Sequence, residues 1–146
     1  MNLKWVKGAT LDIQELRKVV IIDNTIPKKF DPTWIADELA LNERIVAFQK
    51  LTDADFFEVV YDASAIVAFH MIRGKLPIAH IWTLWVHPEY RGKKLAKGLK
   101  EKGLKWAKDK GYSFIQTAVN TANTRMGEIN LSTGYEPFST IYRLKL

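Results

Sequence analysis

The densest chemistry in this chain lies where a β-like run reaches Val86, passes His87 and Pro88, and continues through Arg91, Gly92, Lys93, Lys94, Leu95 and Ala96 into a helical pattern. Backbone N–H groups at a helix start have no partner of their own, and with the positive end of the dipole they form a cradle for phosphate. Arg91, Lys93 and Lys94 add positive charge where that cradle opens. Charge counted by segment picks out the same place. Residues 91–110 hold nine basic side chains against two acidic ones, whereas residues 1–90 hold ten against twelve and residues 111–146 three against two. One basic helix on a near-neutral body points to a localised anionic ligand. The competing reading of the same turn is an ordinary capped helix with a solvated lysine face. Other chemistries find little material. The absence of cysteine removes thiolate nucleophiles, thiolate metal sites and disulfides. Three histidines on separate elements lack the spacing of metal ligands, so no metal is expected, and no Gly-x-Ser-x-Gly elbow supports an acyl-serine intermediate.

The elements that must position this turn can be read from the pattern around it. With 146 residues, 47% hydrophobic and 26% charged, the chain has the size and balance of one globular domain spanning 1–146. It has no apolar leader segment and no run of roughly eighteen apolar residues, so neither secretion nor membrane spanning is expected, and a cytoplasmic location is. Residues 3–7 read as a first strand, and Thr10 or Asp12 caps a helix through about Asn24. After a loop at 24–29, Asp31 and Pro32 predict the cap and first turn of a second helix carrying Trp34, Ile35, Leu39 and Leu41. Runs at 56–62, 65–73 and 77–86, parted by short turns, predict an antiparallel meander. A helix over 92–110 follows, with Leu95, Leu99, Gly103, Trp106 and Ala107 within an arc of about 120°. Strand 114–119 closes a strand–helix–strand unit, whose two strands must run parallel. A helix over about 121–133 and a final strand at 141–146 complete the order.

The stretch Leu84, Trp85, Val86, His87, Pro88, then Arg91, Gly92, Lys93, Lys94, Leu95, Ala96 resembles the acyl-CoA-binding motif of the GNAT superfamily of N-acetyltransferases. That motif runs Arg or Gln, two residues, Gly, one residue, then Gly or Ala. Arg91 and Ala96 match it, and Lys94 stands at the middle glycine. A second stretch, Asn123 and Met126, then Asn130, then Gly134 and Tyr135, resembles the family's later Asn-x-x-Ala segment. Met126 replaces the commoner small residue, and Asn130 stands where many members carry a tyrosine that protonates the departing thiolate. The resemblance implies an α/β (α+β) fold with a mixed, mostly antiparallel central sheet, one parallel strand–helix–strand unit and helices on both faces. It also implies acetyl-CoA as cosubstrate, held by Leu84, Trp85, Val86, the 91–96 turn, Asn123 and Asn130.

The reaction so implied is direct transfer of an acetyl group from the thioester to an amine, which must lose a proton to attack. His80 falls where many members place a glutamate base, and an imidazole with a pKa near ~6.5 suits that work around neutral pH. The competing reading is a hydrogen-bonded core histidine. Strict alternation puts His80 on one face with Trp82, Leu84 and Val86. His70 is expected to pack within its strand and His87 to cap the turn before Pro88. The resemblance places the acceptor, a small-molecule or peptide amine, between residues 24–34 and 138–142, where Phe30, Trp34, Trp82 and Tyr142 could line a pocket. A homodimer is compatible with the sequence and a membrane partner is not expected. Two other functions remain open: an acyl-CoA-binding domain without catalysis, and a nucleic-acid-binding module on the basic helix. The latter wants aromatics interleaved with the lysines, and the only aromatic there, Trp106, falls on the apolar arc.

Overall fold

The computed structural model describes residues 1–146. Five strands form one sheet in the order β1 (Leu3–Lys7), β2 (Phe56–Asp62), β3 (Ala65–Lys75), β4 (Ile78–Val86) and β5 (Phe114–Thr117). The first three pairings are antiparallel and the fourth is parallel. Helices α1 (Ile13–Thr25) and α2 (Glu38–Gln49) cover one face, where Val19, Val20 and Phe48 pack on Val59, Phe69 and Met71. Helix α3 (Leu95–Asp109) joins β4 to β5 across the other face, setting Leu95 and Leu99 on Val60 and Ala68, and Ala107 on Ile72 and Ala79. Helix α4 (Thr124–Ser132) follows β5. The expected mixed α/β fold with helices on both faces is therefore present. Strand β3 lies between two helical layers, which is why its run is apolar on both sides. Each large aliphatic side chain buried there contributes about 1.5–3 kcal/mol. Helix α3 sits close to the sheet at Gly103, where a Cβ would lie 2.7 Å from Ile72 Cδ1 and 3.2 Å from His70 Nε2. No helix is long and apolar enough to cross a membrane.

Several boundaries differ from the sequence reading, each for a local reason. Helix α2 begins at Glu38, where Asp37 accepts a hydrogen bond from the Ala40 N–H, and not at Asp31. Asp31 instead closes a short turn by accepting from the Thr33 N–H at 3.0 Å, and it pairs with Arg143 at 3.2 Å. Trp34 lies outside the helix, its indole N–H donating to the Asn24 carbonyl at 2.7 Å. Helix α3 starts at Leu95 and not at Gly92, because Gly92 and Lys94 both take positive φ, 77° and 63°. The expected strand at 141–146 does not form. Those residues pair with no neighbour, Ile141, Tyr142 and Leu144 are exposed, and the segment is tied down through Arg143 alone. Strand β5 thus has β4 as its only partner.

One irregularity changes which face the strand residues occupy. In the β3–β4 ladder Met71 opposes Thr83, but the next residue, Ile72, opposes Ile81. Trp82 is the extra residue of a β-bulge, which resets the alternation. Ala79 and Ile81 before the bulge, and Leu84 and Val86 after it, all pack toward α3. Trp85 packs on the opposite face with Phe69. His80 therefore does not share a face with Leu84 and Val86, as strict alternation required. It lies on the α1/α2 face, as Thr83 and Trp85 do.

Candidate active site

Strands β4 and β5 are hydrogen-bonded only from Ile78 opposite Phe114 to Ile81 opposite Thr117. Beyond that they part, because β4 runs on to Val86 while the chain leaves the ladder after Thr117. The gap is a cleft of about 340 Å³. Its walls are Ile81, Trp82, Thr83 and Leu84 of β4, the segment 117–120, and Asn123, Met126, Asn130 and Tyr135 of and around α4. Lys100 enters from α3, and Ile26, Pro27, Phe30 and Asp31 close the end nearest α1. On the side that β5 has left, β4 presents main-chain groups without a ladder partner, the geometry that holds an extended amide-bearing ligand. A larger depression of about 800 Å³ lies at the other end of the sheet, lined by Lys7, Phe48, Asp55 and Trp106 among others. It contains none of the residues singled out by motif, so the smaller cleft is the candidate.

The anionic end of the site is the turn past β4. His87 Nδ1 accepts from the Glu89 N–H at 3.2 Å, so His87 caps the turn before α3, as its sequence context indicates. Arg91 reaches back to donate to the Val86 carbonyl at 3.4 Å, and Lys93 stacks over the Tyr90 ring at 5.0 Å. Lys94 holds φ 63° and ψ 14°, the left-handed region that glycine enters freely and other residues enter at a cost of about 1–2 kcal/mol. The lysine thus adopts the positive-φ backbone that a glycine in its place would enter without strain. Helices α1, α2 and α4 are capped by Asp12, Asp37 and Asn123, whereas α3 has no side-chain cap and no acidic residue in its first turn. Its opening N–H groups are left for an outside acceptor. The Leu95 side chain is buried and Ala96 is half-buried, so their contribution to such a site is their amides.

The residues expected from sequence divide into three groups. Leu84, Asn123 and Asn130 line the cleft. Asn123 also caps α4 through the Met126 N–H at 3.3 Å. Arg91, Gly92, Lys93, Lys94, Leu95 and Ala96 form the turn and the start of α3, with Trp85 and Val86 leading to it. His80 sits one position before the cleft wall, half-buried, its Nδ1 3.2 Å from the Gln116 side-chain amide. The amide nitrogen, which can only donate, is the atom placed there, so Nδ1 accepts; with the amide turned over, its oxygen would accept from Nδ1–H instead. Of the acceptor-side aromatics, Phe30 and Trp82 line the cleft, Trp34 is held against Arg44, and Tyr142 is exposed. His70 is buried, donates from Nδ1–H to the Thr83 carbonyl at 2.8 Å, and its pKa is pushed down to about 4 by burial.

Three groups escaped the sequence reading. Thr83 lines the cleft, and the buried carboxyl of Asp23 faces its hydroxyl. Burial raises the Asp23 pKa against the pull of Arg44, whose guanidinium lies 2.5 Å away. Lys100 is the ammonium in the cleft wall. A helical projection held a signal for it, since Lys100 and Lys102 fall about 20° outside either edge of the α3 apolar arc. Lys102 turns to the buried Glu58 and the Trp5 ring. Lys100 turns into the cleft and makes no ion pair or hydrogen bond.

Comparison with known proteins fits this geometry. The family model described as the acetyltransferase (GNAT) family matches residues 21–129. No curated protein sequence matches the chain. Among solved structures, a putative acetyl transferase from Pyrococcus furiosus is similar at TM-score 0.75 and 22% identity, covering 99% of this chain and 100% of that one. A PaiA N-acetyltransferase from Thermoplasma acidophilum in complex with coenzyme A gives 0.70 and 20%, over 97% and 94%. A glucosamine-6-phosphate N-acetyltransferase from Arabidopsis thaliana gives 0.64 and 19%, over 99% of each. With three quarters of its length matched by the family model and the parted β4–β5 pair in place, the chain belongs to the acetyltransferase (GNAT) family and is an acyltransferase.

Proposed function

We propose that this chain transfers an acetyl group from acetyl-CoA directly to a primary amine on a small molecule or peptide. The observation that carries the reading is the continuity of two features. A cleft with a free strand edge along β4 leads, at the end of that strand, to an uncapped helix start flanked by Arg91, Lys93 and Lys94. An extended arm with amides fits the first and a pyrophosphate fits the second. The bound coenzyme A of the Thermoplasma relative supports the choice of ligand, and the sugar amine named for the Arabidopsis relative supports the choice of acceptor class.

When bound, acetyl-CoA supplies the activated acyl group. The amides of the turn and of Leu95 and Ala96 hold phosphate, with Arg91 as ion-pair partner. The β4 edge at Leu84, Trp85 and Val86 orients the arm and, through an N–H, polarises the acyl carbonyl. Leu84, Asn123 and Asn130 close the cleft against water. His80 takes the acceptor proton. For that role the Gln116 amide must present its oxygen to Nδ1–H, which leaves Nε2 with the free lone pair.

Three measurements test this. Acetyl-CoA should raise the melting temperature, since a ligand that binds only the folded state stabilises it by mass action. Arg91→Ala should weaken that binding and flatten its salt dependence. A panel of amines screened for free thiol release should contain acceptors, and His80→Ala should lower turnover by about 10²-fold or more with nearly unchanged CoA affinity. Binding without thiol release from any amine would replace the transferase reading with that of an acyl-CoA-binding domain. No binding at millimolar acetyl-CoA would remove both.

A further inference from the structure

We propose that Lys100 is the acid of this reaction, delivering a proton from Nζ to the coenzyme A sulfur as the acyl–sulfur bond breaks. The inference rests on the acetyl-transfer reading above. Its ground is position and lack of partners. The cleft opens where β5 leaves β4, and Lys100 is the side chain that α3 contributes to its wall, which it shares with Thr83, Leu84, Asn130 and Tyr135. Eight ion pairs occur in the molecule, and they engage Lys97, Lys102 and Lys105 of the same helix but not Lys100. A half-buried ammonium without a carboxylate is costly to keep, and a thiolate forming beside it is the counter-charge that the site lacks.

The groups around Lys100 are compatible with no other donor as well matched. From β3, His70 is neutral and already committed to the Thr83 carbonyl. At the cleft end Asp31 is taken by Arg143. The walls from β5 and α4 offer Thr117, Asn120, Asn123 and Asn130, none of which titrates in the useful range. Tyr135 is the alternative acid, but burial raises its pKa, away from a thiol near ~8.5. Burial lowers that of Lys100, toward it. The proton balance closes. The acceptor nitrogen loses one proton to His80 or water, forms the bond to carbon, and the electron pair of the broken bond goes to sulfur. Sulfur takes the Lys100 proton, and the neutral amine of Lys100 regains one from solvent.

The test does not need the natural acceptor. Coenzyme A bound to the intact protein is titrated by the ultraviolet absorbance of its thiolate. In the wild type the apparent thiol pKa should fall by about one unit or more, a tenfold gain in thiolate at a given pH. Lys100→Met should return it to the value of free coenzyme A. Lys100→Arg should keep the low thiol pKa, because the charge remains. With any amine found in the panel, however, Lys100→Arg should lose about 10²-fold in turnover, because a guanidinium does not release its proton. If Lys100→Met does not fold, Lys100→Gln makes the same comparison. A thiol titration unchanged from wild type in Lys100→Met or Lys100→Gln that still binds coenzyme A overturns the proposal, as does loss of turnover in Tyr135→Phe with none in Lys100→Arg. Failure of the wild type to bind coenzyme A at all falls on the acetyl-transfer reading instead.

Discussion

The buried His70 gives the fold a pH dependence that can be worked from the structure. Its imidazole is 1% exposed, between Phe56 and the α3 backbone at Gly103, with Nδ1 bound to the Thr83 carbonyl. Burial pushes the pKa down to about 4, from 6.5 for a solvated imidazole. Between those values the unfolded chain takes up a proton that the folded one refuses, so stability is complete above about pH 6.5 and falls as the pH drops toward about 4. At about 1.4 kcal/mol per unit the whole loss is about 3 kcal/mol, of which about 2 kcal/mol appears by pH ~5. With a denaturant slope of about 2 kcal/mol per molar urea, the unfolding midpoint should drop by about 1 M over that window. Asp23, raised by burial, works in the opposite sense, and the lowered carboxyls of Asp31 and Asp62 act at lower pH. The quantity to measure is therefore the difference between wild type and His70→Gln, which retains a donor for the Thr83 carbonyl but cannot titrate. Urea midpoints that move in parallel for the two proteins from pH ~7 to ~5 would refute the reasoning.

Two stability predictions accompany it. Lys102→Met leaves the buried Glu58 carboxylate without its cation and should cost about 1–3 kcal/mol by chemical denaturation, against little change for Lys97→Met, whose partner Glu101 is exposed. Asp37→Ala should cost about 1 kcal/mol through loss of the α2 cap, whereas Asp31→Ala should leave helix content by circular dichroism unchanged; the reverse result would return the start of α2 to Asp31.

The β-meander, the parallel unit and the turn past Val86 were legible because each rests on local rules: apolar runs of strand length, short turns, and a basic amphipathic helix between two strands. What the sequence hid depends on neighbours far along the chain. Both Asp31 and Asp37 satisfy the rule for a helix cap, and only the packing of Trp34 against Asn24 and Arg44 selects the second. A final strand was read from the apolar run at 141–146, but a strand exists only where an edge receives it, and here the run lies exposed. Lys100 was one of eight lysines in the basic stretch. Its difference from the others is that it lines a cleft whose remaining walls come from β4, the segment after β5 and α4, elements brought together only by the fold.

The single extra residue at Trp82 has a further consequence, best put as parity. Strand β4 keeps count by twos on each side of that point, but the count restarts there, so odd positions before it and even positions after it serve the same face. Residues 78–81 can thus be matched to the lower half of α3 and residues 83–86 to its upper half as two independent registers. Removing Trp82 would not merely lose one indole. It would merge the two registers into one regular alternation in which Ala79, Ile81, Leu84 and Val86 still face α3 and His80 still faces the opposite layer, and what would be lost is the local bend that the bulge gives β4.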